Sequence, residues 1–392
     1  MSSWNEKTGI ARKTACPGAA MEEPISDAAI QEYSPSGTLS SNVFFRRAAI
    51  KFALTLGACG LISAAKPPAR CPALSKAIRA AEAPGFHEGH RGCRPGSRNR
   101  ENEGMSLKVP GRLVANCQKA PERLAWLDRL PDVLRNLERR WSLTLDAPFD
   151  GEDVTCAWVA TVALADGTSA VLKLGMPHME GAHELQGLRF WNGDPTVRLL
   201  AADDELGAML LERCVPGTAL RALPELEQDL LIAKLLRRLW RSPSAPHSFR
   251  RLSALTEHWR DETLANAEHW PDKGLVREGL RLFEELPRTA PREVLLATDL
   301  HAGNVLRSER EPWLVIDPKP FVGDPAYDAT QHLFNCAARL RSNAAGTICR
   351  LADLLGVDPE RVRLWTFARA AAEPRDDWKR DGAMALARAI MP

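Results

Sequence analysis

The 392-residue sequence has no surplus of either charge: 52 Lys and Arg stand against 50 Asp and Glu, a formal net charge of +2. Such a balance provides no dominant field for holding nucleic acid or a polybasic membrane surface, and neither is expected as a partner. Paired cysteines are also absent. Nine are scattered from Cys16 to Cys349, an odd number with no C-x-x-C spacing, which excludes a disulfide framework or a zinc site as the organising element. Cys117, Cys156, Cys214, Cys336 and Cys349 read as single core thiols, at home in a reducing cytoplasm. Cys71, His87, His90 and Cys93 are too loosely spaced to make a metal site. Long apolar runs are scarce. The strongest, over 48–65, is about 18 residues long and holds Lys51, Gly57 and Gly60, which is marginal for a bilayer.

What is present is a globular composition, 45% hydrophobic and 26% charged, with room for two or three domains. Residues 1–104 differ in texture from the rest. They are rich in Pro, Gly, Ser, Ala and Arg and show no sustained helical or strand period, so a disordered or non-native extension is expected there. Arg46-Arg47 and the apolar run ending at Ser63-Ala64-Ala65 resemble an export signal, but a long stretch precedes them. The reading preferred is a fused or mis-started upstream piece, with the working protein beginning at Met105.

The most informative stretch is 294–335. Asp299 is followed five residues later by Asn304, and an apolar triplet at 314–316 leads into Asp317. Val305–Leu306 and residues 313–316 read as two short strands joined by the polar link 308–312, so Asn304 and Asp317 can meet at one mouth of a hairpin. Phosphoryl transfer from ATP uses this set of groups. An Asp orients the acceptor hydroxyl and takes its proton, while an Asn oxygen and an Asp carboxylate hold Mg²⁺. The blander reading is a hairpin with Asp and Asn at its turns, where both residues are common.

The residues Asp299-Leu300-His301-Ala302-Gly303-Asn304, Trp313-Leu314-Val315-Ile316-Asp317-Pro318-Lys319 and Val322-Gly323-Asp324-Pro325-Ala326-Tyr327-Asp328 resemble the catalytic and metal-binding loops of the aminoglycoside phosphotransferases. They are closer still to the streptomycin 6-phosphotransferases, within the aminoglycoside and hydroxyurea kinases. The resemblance implies an α+β, two-lobed protein-kinase-like fold over 105–392. It would have a small antiparallel-sheet nucleotide-binding lobe over 105–213 and a larger, mainly helical catalytic and acceptor-binding lobe over 214–392. One departure is visible. Many relatives carry His-Gly before the catalytic Asp, and Ala297-Thr298 stand there instead, which puts the bracing of the loop in question. For His301, a structural hydrogen bond is favoured over acid–base chemistry.

Upstream, Leu124, Leu127, Leu130, Leu134, Leu137 and Trp141 predict a helical core stripe broken at Pro131. Residues 148–153 stand where the resemblance puts a phosphate-covering loop, with one glycine, Gly151, where a fuller loop has three. Residues 154–165 and 169–174 read as a hairpin about Asp166-Gly167. Its return strand buries one lysine, Lys173, which is costly unless it is paired or faces a phosphate. The resemblance supplies both partners: the nucleotide phosphates and Glu184 from a helix over 178–191, chosen over Glu180. Strands over 197–202 and 208–213 then lead to Cys214-Val215-Pro216-Gly217. That segment matches a hinge, where main-chain atoms around Glu212 and Cys214 would hold adenine beside Met209. Beyond it, helical spacing recurs over 226–240, 253–269, 276–286, 328–340, 345–355 and 360–371. Val305 and Ile316 mark the only clear strands among these helices.

Streptomycin carries guanidinium groups, so its pocket should be acidic and able to stack on planar cations. Glu373, Asp376, Asp377 and Trp378 are the expected acceptor residues, although a solvated helical face would look the same. The reading is therefore an ATP- and Mg²⁺-dependent kinase of an aminoglycoside hydroxyl, cytoplasmic and monomeric, with the 6-hydroxyl of streptomycin chosen by resemblance. Its rivals are a kinase of another small hydroxylated compound, hydroxyurea or a metabolite, and a non-catalytic nucleotide-binding module.

Overall fold

A computed structural model describes residues 108–151, 154–375 and 382–392. The expectations for 1–104, including the export-like run and Cys71 to Cys93, lie outside the described residues, as do Glu152 and Asp153 of the 148–153 loop. The class is α+β. An antiparallel five-stranded sheet comes early in the chain, and helices dominate the remainder. Among the described residues, no helix is long and apolar enough to cross a membrane. Cys117, Cys156, Cys214 and Cys336 are free thiols, while Cys349 is disulfide-bonded, a departure from the single thiol expected.

The described residues divide into two compact units, one of 108–252 with Arg292–Gly323 and the other of Ser253–Pro291 with 324–375 and 382–392. In the first, helices α1 (Gly111–Cys117) and α2 (Pro121–Arg140) precede strands β1 (Thr144–Pro148), β2 (Ala157–Ala163) and β3 (Ser169–Gly175). Helix α3 (Glu184–Trp191) follows, then β4 (Leu199–Asp203), β5 (Ala208–Glu212) and helix α4 (Glu225–Leu239). The sheet order is β1-β2-β3-β5-β4, so β3 is central. Strand alternation gives the sheet two apolar faces. Trp158, Ala160, Leu172 and Leu210 pack with Leu130, Leu134 and Leu137 of α2. Val159, Val171, Met209 and Leu211 pack with Leu185 and Leu188 of α3. The β2–β3 turn needs its glycine, since Gly167 has φ +81°, a region open to few other residues.

Two expectations for α2 need correction. Pro131 does not break the helix, which runs through it. Leu124 is 39% exposed, and Trp126, off the expected stripe, is buried in its place. The face of a helix that is covered depends on the sheet against it, which local spacing does not specify.

The hairpin of β7 (Val305–Arg307) and β8 (Trp313–Val315) also belongs to the first unit. The Val315 carbonyl accepts from Val197 N–H at 3.0 Å, and Arg307 N–H donates to the Thr218 carbonyl at 2.8 Å. These bonds tie residues beyond the expected boundary at 213 to segments on either side of it, and the two units accordingly do not part there. A further two-stranded ladder, β6 (Val294–Leu296) with β9 (Phe321–Gly323), brings the chain on either side of the hairpin together.

The second unit is helical. Asp272, Asp324, Asn343 and Asp358 each cap a helix with a side-chain oxygen. Gly279 lets Lys273–Arg288 approach Pro359–Ala372 closely, since a Cβ there would lie 2.8 Å from that of Ala372. Arg369 is buried against the rings of Trp259, Tyr327 and Phe334.

Leu134→Ala should cost about 2–5 kcal/mol, because it opens a cavity between α2 and the sheet. Leu124→Ala, on the exposed side, should stay within about 0.5 kcal/mol. Urea unfolding of the two variants checks the pair; equal losses would contradict the packing described.

Candidate active site

Lys173 lies mid-strand in β3, opposite Val159 on one neighbour and Met209 on the other. That register puts its side chain on the face shared with α3 and the hairpin. The ammonium group, with Lys173 only 3% exposed, donates to Glu184 Oε1 and Oε2 at 2.5 and 2.6 Å and to Asp317 Oδ1 at 2.6 Å. Glu184 is the first residue of α3, just after a single 3₁₀ turn over Glu180–His183. The helix start therefore aims it at the sheet, and Glu180 is not the partner. A second buried lysine, Lys319, also donates to Asp317 Oδ1.

Two carboxylates and two ammonium groups are thus enclosed together, and their charges balance. Burial pushes the Asp317 carboxyl up, but Lys173 and Lys319 outweigh it and hold it down at about 2. Burial likewise disfavours the Lys319 cation. The carboxylates of Asp317, Glu184 and Asp299 overcome this and raise it well above the usual lysine range. For Glu184 burial prevails over the attraction of Lys173, and its carboxyl is raised.

The segment 297–304 supplies the rest. Asn304 Nδ2 donates to the Asp299 carbonyl at 3.0 Å, and Asn304 N–H to that of His301 at 2.9 Å, closing the loop on itself. His301 Nδ1 accepts from Gly303 N–H at 3.0 Å, so the neutral ring carries its proton on Nε2 and one nitrogen serves the loop. A Cβ at Gly303 would meet the Arg221 guanidinium and the His301 ring, both side chains that would have to shift. Asp299 is half-buried, whereas Asn304 and Asp317 are buried. Ile316 N–H donates to the Asn304 carbonyl at 2.9 Å, which places these two residues on adjoining turns of the hairpin.

Asn304 Oδ1 and Asp317 Oδ2 are buried and have no hydrogen-bond partner among the described residues. Orphaned oxygens of this kind are costly unless something else meets them. Both are hard donors of the type that holds Mg²⁺, so the residues present fit that ion.

The missing His-Gly brace has a replacement. The Ala297 carbonyl accepts from both Asp299 N–H, at 2.7 Å, and Lys319 N–H, at 2.8 Å. Thr298 Oγ1 donates to the Lys319 carbonyl at 2.6 Å. The loops of Asp299 and Asp317 are thereby tied to each other. Thr298 and Asp317 both have positive φ, +49° and +53°, an unfavourable region for a side chain and above all for a β-branched one. Sequence reasoning missed Thr298 and Lys319 as functional positions. The available signals were a threonine in the brace position and a lysine two residues after Asp317, between two prolines.

Two cavities meet at Lys173, Glu184 and Asp317. One, of about 20 Å³, is a slot walled by Val159, Val171, Val197, Leu211, Cys214 and Ile316. The other, of about 420 Å³, also reaches Lys319, Cys156 and His178. Cys214 therefore borders the slot. Glu212 borders it too, but its carboxylate is engaged by Arg310 at 2.8 and 2.9 Å and its N–H by the Arg198 carbonyl.

Of the expected acceptor residues, Glu373 is 4% exposed and accepts from Arg369 Nε at 2.8 Å. It balances a buried guanidinium, which also donates to Thr330 and Gln331, rather than lining a surface. Asp376, Asp377 and Trp378 lie outside the described residues.

A family profile described as aminoglycoside/hydroxyurea antibiotic resistance kinase matches residues 140–382. A streptomycin 6-kinase of Streptomyces glaucescens is 36% identical over 296 residues, 71% of this chain and 94% of that protein. A streptomycin 6-kinase of Streptomyces griseus is 36% identical over 67% of this chain and 88% of its own length. A hydroxyurea phosphotransferase of Kitasatospora aureofaciens is 37% identical over 62% of this chain and 72% of its own.

Thr298→Val should lose about 1–3 kcal/mol by stranding the Lys319 carbonyl, while Thr298→Ser keeps the donor and most of that stability. Thermal unfolding of both variants distinguishes a hydrogen-bonded brace from plain packing. The depressed Asp317 value also fixes a sign. With a folded value of about 2 against an ordinary 3.8, its contribution to stability is present above that ordinary value and lost as pH falls through the folded one. The stability gap between wild type and Asp317→Asn should therefore be flat above about pH 4 and shrink toward pH 2, as read by denaturant unfolding across that range.

Proposed function

The chain belongs to the aminoglycoside/hydroxyurea antibiotic resistance kinases, and from that premise we propose that it transfers the γ-phosphoryl group of ATP to the 6-hydroxyl of streptomycin. It is a phosphotransferase acting on an alcohol group. The observation that carries the finer reading is the gathering, within one compact unit, of a glutamate-held lysine, an orphaned amide oxygen and an orphaned carboxylate oxygen beside the loop of Asp299.

In this reading adenine is held by main-chain atoms at Glu212 and Cys214 over the apolar slot, which at about 20 Å³ has to widen to admit the ring; with the Glu212 N–H engaged, its carbonyl is what remains to offer. Lys173, fixed in place by Glu184, meets the inner phosphates. Asn304 Oδ1 and Asp317 Oδ2 would hold Mg²⁺, which neutralises charge on the phosphate oxygens when bound. Asp299 orients the acceptor hydroxyl and takes its proton as the oxygen bonds to phosphorus, and ADP departs with the electrons of the broken bond. The ATP requirement places the reaction in the cytoplasm, and a monomer acting on a small molecule suffices for it. The likeness to a hydroxyurea phosphotransferase makes hydroxyurea the second acceptor to consider.

Purified protein should phosphorylate streptomycin with release of ADP, and Asp299→Ala should lower turnover by about 10²–10⁴-fold while nucleotide binding persists. A streptomycin rate at background alongside a strong hydroxyurea rate would transfer the assignment to the second acceptor. Unchanged turnover in Asp299→Ala would remove that residue from its role.

A further inference from the structure

Lys173 and Lys319 share one carboxylate oxygen, yet they differ in how much of their donor capacity is used. The three N–H donors of Lys173 are matched by three acceptors, both oxygens of Glu184 and Oδ1 of Asp317. The Lys319 ammonium has one hydrogen-bond acceptor among the described residues, Asp317 Oδ1. Two of its donors are therefore unused although the residue is only 3% exposed. A buried ammonium with spare donors is costly to keep unless an anion completes its shell.

Its surroundings indicate which anion. Lys319 borders the 420 Å³ cavity together with Lys173 and Asp317, so the spare donors adjoin a space large enough for a phosphate group. The negative charge of Asp299 acts on Lys319 as well as that of Asp317. A phosphoryl group in transit must lie between the acceptor oriented by Asp299 and the ion held by Asp317. Asp299 N–H and Lys319 N–H donate to the same Ala297 carbonyl, and the Lys319 ammonium donates to Asp317, so Lys319 stands at the join of the two loops. The backbone of the same residue is bonded to the catalytic loop, through its N–H to Ala297 and its carbonyl to Thr298, which fixes the base of the side chain.

We propose that Lys319 is the cation that donates to the non-bridging oxygens of the transferred γ-phosphoryl group, while Lys173 serves the inner phosphates. The proposal rests on the kinase reading above. No proton leaves Lys319. It supplies hydrogen bonds to oxygens whose charge builds as the bond to ADP breaks, and the acceptor's proton goes to Asp299.

The test compares, by calorimetry on the full chain with Mg²⁺ present, the affinities for a non-hydrolysable ATP analogue and for ADP. Lys319→Met should weaken the analogue by about tenfold and ADP by less than about twofold, since one charge-assisted contact is lost from the outermost phosphate alone. Lys173→Met should weaken both nucleotides together. Lys319→Arg, which keeps the charge, should restore most of the preference for the analogue. Equal weakening of both nucleotides by Lys319→Met, or no change in either, would overturn the proposal and leave Lys319 as a counter-ion of Asp317. Should Lys319→Met fail to fold, the affinity ratio in Lys319→Gln decides in the same way: a ratio equal to wild type overturns it. Failure of the wild-type chain to bind either nucleotide would overturn the ATP reading itself, a result distinct from any seen in the variants.

Discussion

The enclosed quartet of Lys173, Glu184, Asp317 and Lys319 is the constraint to which the rest of this site is subordinate. Each member is 3–4% exposed, so none can rely on bulk water to stabilise its charge. Removing four ions from water costs more than most contacts return, and their mutual attraction compensates only if the geometry is kept. Such a cluster contributes little net stability, yet losing one member leaves an uncompensated buried charge, at a cost of about 3–5 kcal/mol. Its presence in the core of a folded unit is therefore better explained by chemistry than by stability.

Holding that quartet requires strain elsewhere. The carboxylate of Asp317 reaches both lysines from a residue with φ +53°, and the loop of Asp299 turns through Thr298 at φ +49°. Neither is glycine, and both conformations are disfavoured for a side chain. Cross-bonds between 297–299 and 317–319 hold both turns, and the two-stranded ladders on either side hold the cross-bonds. The hairpin's attachment to Val197 and Thr218 carries this rigidity to the sheet that presents Lys173. Sheet, helix start and the loops of Asp299 and Asp317 thus belong to one compact unit.

Much of this was legible residue by residue. A single lysine amid Ala170, Val171, Leu172 and Leu174 marks a buried cation in need of partners. Asp299 with Asn304 five positions on, and Asp317 after an apolar triplet, marks two turns of one hairpin. The helix starts at Glu225, Lys273, Ala344 and Pro359 fell within three residues of the expected 226, 276, 345 and 360, because apolar spacing and, at the last three, a capping side chain are local signals. Other features were not legible. Glu373 read as a surface carboxylate, but it answers an arginine one helical turn before it that aromatic rings enclose. Pro131 read as a helix break, yet the helix continues through it because its buried face is anchored against the sheet.

The sequence by itself determined the class of fold, the buried lysine and the oxygen-bearing side chains of the two loops, since alternation, helical spacing and turn chemistry act over a few residues. Only the tertiary structure decided which charges meet. Lys173 and Asp317 stand 144 positions apart and share a hydrogen bond. It also replaced an absent histidine brace with Thr298 and the backbone of Lys319, and left two donors of that second lysine unused. Those outcomes depend on distances set by packing between distant segments, and no local pattern contains them.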